Sequence, residues 1–127
     1  GTDGSDLSLF VRNDPDGEVI YLPEGLLYRS GETTKHELLA TGGEEAYMDY
    51  LEQALLASIA AADPGKVNVF HITIHPGEMA GDPAHPYAAL EDFLVNVVQP
   101  LVAQGKVRWA TFSEMADAYQ AWEAGAR

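Results

Sequence analysis

Apolar and polar positions follow two different rhythms in this chain. Up to residue 43 the apolar positions come in short clumps: LSLFVR at 7–12, EVIYL at 18–22 and LLYR at 26–29. Turn formers separate them, above all Asn13-Asp14-Pro15-Asp16-Gly17 and Pro23-Glu24-Gly25, so 7–30 reads as a hairpin or β-meander. Residues 1–6 are small and polar and are expected to fray, and 31–43 is a polar, glycine-containing loop. From residue 44 the rhythm lengthens. Met48, Leu51, Leu55, Ile59 and Ala62 recur at spacings of three and four, which lines one face of a helix over 44–62. Glu44 and Glu45 stand in its first turn, where the helix dipole favours negative charge, and Asp63-Pro64-Gly65 stops it.

Residues 67–74 (VNVFHITI) then read as a strand, and 87–103 as a second helix with a broad apolar stripe through Leu90, Phe93, Leu94, Val97, Val98 and Leu101. Pro86 near its start and Gly105 just past its end are the usual asymmetry, while Pro100 should kink its last turn or end the regular helix near Val98. Residues 107–112 (VRWATF) show little alternation, as a strand covered on both faces would. Ser113 reads as an N-cap, opening a closing helix over 114–125 with Met115, Ala118, Tyr119 and Trp122 on one side. The order after residue 43 is helix, strand, helix, strand, helix. The expected fold class is therefore α/β: one domain over 1–127 with parallel strands joined by right-handed helical crossovers, preceded by a short hairpin or meander.

Composition narrows the chemistry. The absence of cysteine removes disulfides, zinc-thiolate sites and a cysteine nucleophile. Twenty acidic against seven basic residues give a net charge of -13, which repels nucleic acid and anionic membrane surfaces. No apolar run is long enough for membrane insertion, since the longest, at 54–62, is interrupted by Ser58. No secretory leader is recognisable, and Gly1 in place of Met reads as a trimmed or processed chain; extracellular and cytoplasmic locations both stay open.

Chemistry-bearing residues concentrate between 66 and 86, where three of the four histidines lie. His71 and His75 form H-x-x-x-H, a metal-binding spacing on a helix. On a strand the two imidazoles share a face but stand roughly 13 Å apart, too far for one ion. His71 thus reads as a core histidine with a hydrogen-bonded ring. His75 ends the strand before Pro76-Gly77, where ligands of α/β sheets gather. Two roles are open to it there: a titrating acid, base or ligand, or a pin for the loop. Glu78, Asp82 and His85 lie in the same loop, either as partners of His75 or as surface decoration. His36 is expected to be solvated. Trp109 reads first as core and second as a sugar-stacking platform. Ser113 lacks an elbow motif for a nucleophile, and no glycine-rich loop matches a phosphate cradle.

Taken in order, VFHITIHPGE, ALEDFLVNVVQPLVAQG, VRWATF and SEMADAYQAW over about 66–122 resemble the end of the polysaccharide deacetylase (NodB-like) superfamily. The resemblance implies the last two strands and helices of an incomplete (β/α) barrel. It implies hydrolysis of N- or O-acetyl groups of a polysaccharide, with His75 lining the pocket as a general acid and His85, Glu78 and Trp109 as substrate-binding candidates. Complete members hold a divalent metal, zinc, on an aspartate and two histidines near the domain start. Upstream of residue 44 this chain has no Asp-Asp strand ending and only His36, so no metal ligand is assigned to it. The resemblance therefore implies the carboxyl-terminal portion of a metal-dependent carbohydrate esterase, inactive by itself. Its partners would be a polysaccharide and an amino-terminal part of the domain or another protomer. The alternative is a non-catalytic module that binds protein or glycan.

Overall fold

The computed structural model describes the backbone of residues 11–12, 20–21, 35–74, 77 and 81–126, and the side chains of 43–74, 77 and 81–125. Its architecture corrects the α/β expectation. Among the described residues the molecule is built from three helices, and its only sheet is a two-residue pairing. In that pairing β1 (Val11–Arg12) runs antiparallel to β2 (Ile20–Tyr21), with Val11 opposite Tyr21 and Arg12 opposite Ile20.

Helix α1 (Lys35–Ala60) is longer than its apolar period suggests. Residues 35–42, expected as loop, are helical, and the break falls at Gly43 with φ 74° and ψ -171°. Only glycine takes that conformation without steric cost, which is why the helix divides there. Beyond the break Tyr47, Met48, Leu51 and Leu55 are buried, and Tyr47 and Leu51 are fully enclosed at 0% exposure. Met48, Leu51 and Leu55 are positions the spacing of three and four predicts; Tyr47 is not among them, Ile59 is only half-buried, and Ala62 is exposed past the end of the helix.

The second helical body comprises α2 (Ala88–Phe93), a π segment (Leu94–Val98) and α3 (Gln99–Ala103). Pro100 explains the change of register. It has no N–H for the carbonyl four residues back, and its ring crowds that carbonyl. Widening the turn just before the proline, with Gln99 N–H donating to Leu94 O five residues back, accommodates both. The helix then ends in a Schellman motif. Lys106 N–H reaches Leu101 O at 3.0 Å and Gly105 N–H reaches Val102 O at 2.9 Å, with Gly105 at φ 71°.

Helix α4 (Phe112–Ala126) starts one residue before the expected cap. Thr111, not Ser113, holds its first turn: Glu114 N–H donates to Thr111 Oγ1 at 3.2 Å, and Thr111 N–H donates to Glu114 Oε2 at 2.6 Å. This reciprocal pair is a capping box. Ser113 is an exposed residue of the first turn.

Of the two stretches expected as strands, 67–74 is irregular apart from an isolated β-bridge at Asn68, and 107–112 is irregular up to Thr111, with Phe112 already in α4. The first is nonetheless covered on both sides. Phe70, Ile72 and Ile74 pack against the main core of α1, α2, the π segment and α3, whereas Val67 packs with Val69 and Tyr119 beside Met115 and Trp122 of α4. Period-two alternation thus reappears with helices in place of sheet neighbours. A buried segment of this kind has the same apolar pattern as an inner strand, and that shared pattern is what the α/β reading mistook.

Candidate functional site

One side chain organises the turn that leads into 67–74. Asn68 donates through Nδ2 to Asp63 O at 2.7 Å and Lys66 O at 3.1 Å, and its Oδ1 accepts Asp63 N–H at 3.0 Å. Asp63 Oδ1 accepts Gly65 N–H at 2.8 Å, closing a local Asx turn. From α4, Trp122 Nε1 donates to Gly65 O at 2.6 Å. The turn therefore ties the end of α1, the start of 67–74 and α4 together.

Downstream of this clasp, a cleft of about 970 Å³ opens between 67–72 and 105–110, with Ile59 of α1, Leu94 and Val98 of the π segment, and Met115 of α4 among its apolar walls. His71 lies in its lining and meets Phe112 edge to face, ring centroids 5.7 Å apart and planes at 85°. His71 Nδ1 is shut away from solvent with no hydrogen-bond partner among the described residues. The expectation of a hydrogen-bonded core ring is not met: His71 is half-buried, and among the described residues its ring makes no hydrogen bond. Trp109 and Phe112 are each 65% exposed, so Trp109 is not the core residue that was its first reading. Lys106 and Arg108 lie in the lining of the same cleft.

The loop before α2 is a second place of interest. Asp82 Oδ1 accepts Ala84 N–H at 2.9 Å, and Asp82 O accepts His85 N–H at 3.1 Å, so the aspartate shapes the turn. Glu44, just beyond the break in α1, accepts Gly81 N–H at 3.0 Å through Oε1. A Cβ at Gly81 would come within 2.9 Å of that oxygen, so the glycine permits the approach. His85 is exposed. Tyr87 takes a left-handed conformation at φ 67°, ψ 12°, which costs about 1–2 kcal/mol in a residue with a Cβ.

His75 and Glu78 lie outside the described residues, as does the His36 side chain. Of the four site residues expected from sequence, the structure therefore locates His85 and Trp109, and it places them apart, His85 on the 81–87 loop and Trp109 in the lining of the cleft, which His85 does not join. Among the described residues no group of three His, Cys, Asp or Glu side chains is placed to hold a metal ion. No helix there is long and apolar enough to cross a membrane.

One group shows a resolved shift in its acidity. Glu114 is held below the usual carboxylate range by the Thr111 N–H and then the Thr111 hydroxyl that donate to it; slight desolvation opposes them, and the Arg108 charge adds the smallest lowering. Its task is to cap α4.

Sequence reasoning passed over Asn68, Phe112 and the cationic pair Lys106 and Arg108. A signal for the last was available: each apolar stretch opens on Lys-Val, at Lys66-Val67 and Lys106-Val107, in a chain with only seven basic residues. Comparison with family models, with curated proteins and with solved structures finds no match to this chain.

Proposed function

We propose that this chain contributes one side of a carbohydrate-deacetylase site of the NodB-like kind, and that it does not hydrolyse acetyl groups by itself. The observation that carries the reading is the meeting of the two motifs on which the resemblance rests. VFHITIHPGE and VRWATF are separated by a helix in sequence, yet His71 of one touches Phe112 of the other across a shared cleft. The two stretches, adjacent strands in that family, are neighbours here without a ladder between them, and that proximity alone supports the reading.

On this reading the polar chemistry belongs to the loop after residue 74, and His75 serves as the acid toward the leaving group. His85 and Glu78 contact the sugar. A divalent metal would polarise the acetyl carbonyl, and its ligands would come from another stretch of polypeptide, because the sequence upstream of residue 44 lacks the family's aspartate and histidine set.

Acetate release from acetylated chitooligosaccharide and from acetylated xylan, with Zn²⁺ or Co²⁺ added, tests the reading. The chain alone should release none, and a mixture with a polypeptide bearing the aspartate and two histidines should. Replacing His75 by Ala in that mixture should lower the rate by about 10²–10⁴-fold, the usual contribution of a positioned acid. Release that survives His75→Ala overturns the assignment.

A second reading, a non-catalytic binding module, is favoured by the exposed Trp109 and Phe112 beside an apolar cleft. The same mixture separates the two: acetate release there that is lost on His75→Ala counts against the module, which releases none.

A further inference from the structure

We propose that the cleft between 67–72 and 105–110 is the seat of an extended polypeptide segment from a partner, apolar along one face and carrying a carboxylate. The segment would pair with the backbone of 107–110 and direct its carboxylate to Lys106 and Arg108. This surface does not include the loop after residue 74, so the proposal does not depend on the hydrolase reading.

Four observations converge on it. First, 107–110 runs along the cleft, yet among the described residues its backbone makes no hydrogen bond to any other segment. Unpaired N–H and C=O groups in a row are a template for another extended backbone. Second, the walls are largely apolar, and a volume near 970 Å³ takes several side chains at once. Third, Lys106 and Arg108 line the cleft of a chain whose net charge is -13, and among the described residues neither forms a salt bridge, although the Arg108 charge also acts on Glu114. They are a local exception that complements an anionic group. Fourth, His71 Nδ1, a polar atom in the lining, is shut off from solvent without a partner. A buried polar atom left in that state costs free energy, so His71 gains from a ring rearrangement on binding that gives Nδ1 a partner.

The same observations select a polypeptide over other occupants. A glycan would lose water from many hydroxyls against apolar walls that return few hydrogen bonds. A second copy of this chain would bring another thirteen negative charges to an already acidic surface.

The test uses the full chain and two synthetic hexapeptides of alternating valine and threonine, blocked at both ends, one with a central glutamate and one with a central lysine. Amide hydrogen exchange at 107–110 and the emission of Trp109, in a Trp122→Phe background, report occupancy. The glutamate peptide should slow exchange at these four amides and shift the emission to shorter wavelength. It should bind at least tenfold tighter than the lysine peptide. The exposed double variant Lys106→Glu, Arg108→Glu should reverse that order, a gain for the lysine peptide that an unfolded protein would not give.

Equal binding of both peptides, or an order unchanged by the double variant, overturns the charge assignment. No protection with millimolar peptide overturns the seat itself. Protection that appears with rising protein concentration alone, together with a dimer in sedimentation, makes the occupant a second copy. Protection by acetylated chitooligosaccharide instead makes it a glycan; either result overturns the proposal.

Discussion

The two faces of 67–74 differ more than their similar residues suggest. On one, Phe70, Ile72 and Ile74 meet a core in which Tyr47 and Leu51 have no exposure, and which draws on α1, α2, the π segment and α3. On the other, among the described residues, Val67 and Val69 cluster with Tyr119, Met115 and Trp122 of α4. The first face belongs to a multi-element core; the second is a satellite cluster helped by one hydrogen bond from an indole. Burial scales roughly with stabilisation, so α4 is the element that should open first. It is also an element that borders the cleft.

The largest expected effect lies on the core side. Leu51→Ala removes a fully enclosed side chain and should cost about 2–5 kcal/mol, lowering the midpoint for α1 and the second helical body together in denaturant unfolding followed by circular dichroism. A loss below about 1 kcal/mol would show that the core is looser than its burial implies. The corresponding test on the satellite side is gentler. Trp122→Phe keeps most of the ring's apolar contact and deletes the bond to Gly65 O, which should cost about 0.5–1.5 kcal/mol. Hydrogen exchange should quicken along α4 while the amides of α1 around Leu51 keep their protection. Uniform loss of protection would instead make the two faces one cooperative unit.

This asymmetry also marks what was legible in the residues. The helices were, because Met48, Leu51 and Leu55, like Leu90, Phe93 and Leu101, repeat with a helical period, and Gly105 sits where a left-handed cap requires it. The α/β class was misread. A segment covered by helices on both sides and a strand inside a sheet carry the same apolar pattern, and only hydrogen-bond partners distant in sequence tell them apart. Pro100 signalled a disturbance, a kink or an end of the regular helix near Val98, but not its form, a π turn over Leu94–Val98 after which the helix continues. Gly42-Gly43 looked like loop and proved to be a single break between two helical stretches. For the site, VRWATF lacks alternation, so nothing in it distinguished an exposed Trp109 from a buried one.

The smallest effect concerns how α4 begins, and pH reaches it without any mutation. Glu114 is held below the usual carboxylate range because its ionised form accepts the N–H and the hydroxyl of Thr111. A carboxylate with a lowered native pKa adds stability that is fully present above its unfolded value and is lost as pH falls through the native one. The first turn of α4 should therefore hold at neutral pH and loosen in acid below the ordinary carboxylate range. Glu114 is fully solvent-exposed, so screening keeps the gain small and salt should reduce the part contributed by Arg108. The Thr111 amide shift in an NMR titration reads this directly. In Glu114→Gln the amide keeps an acceptor but loses the titration, so its shift should become flat over the acid range. A persistent acid transition in that variant would assign the weakness of α4 to another carboxylate and leave the satellite cluster, not the cap, as its cause.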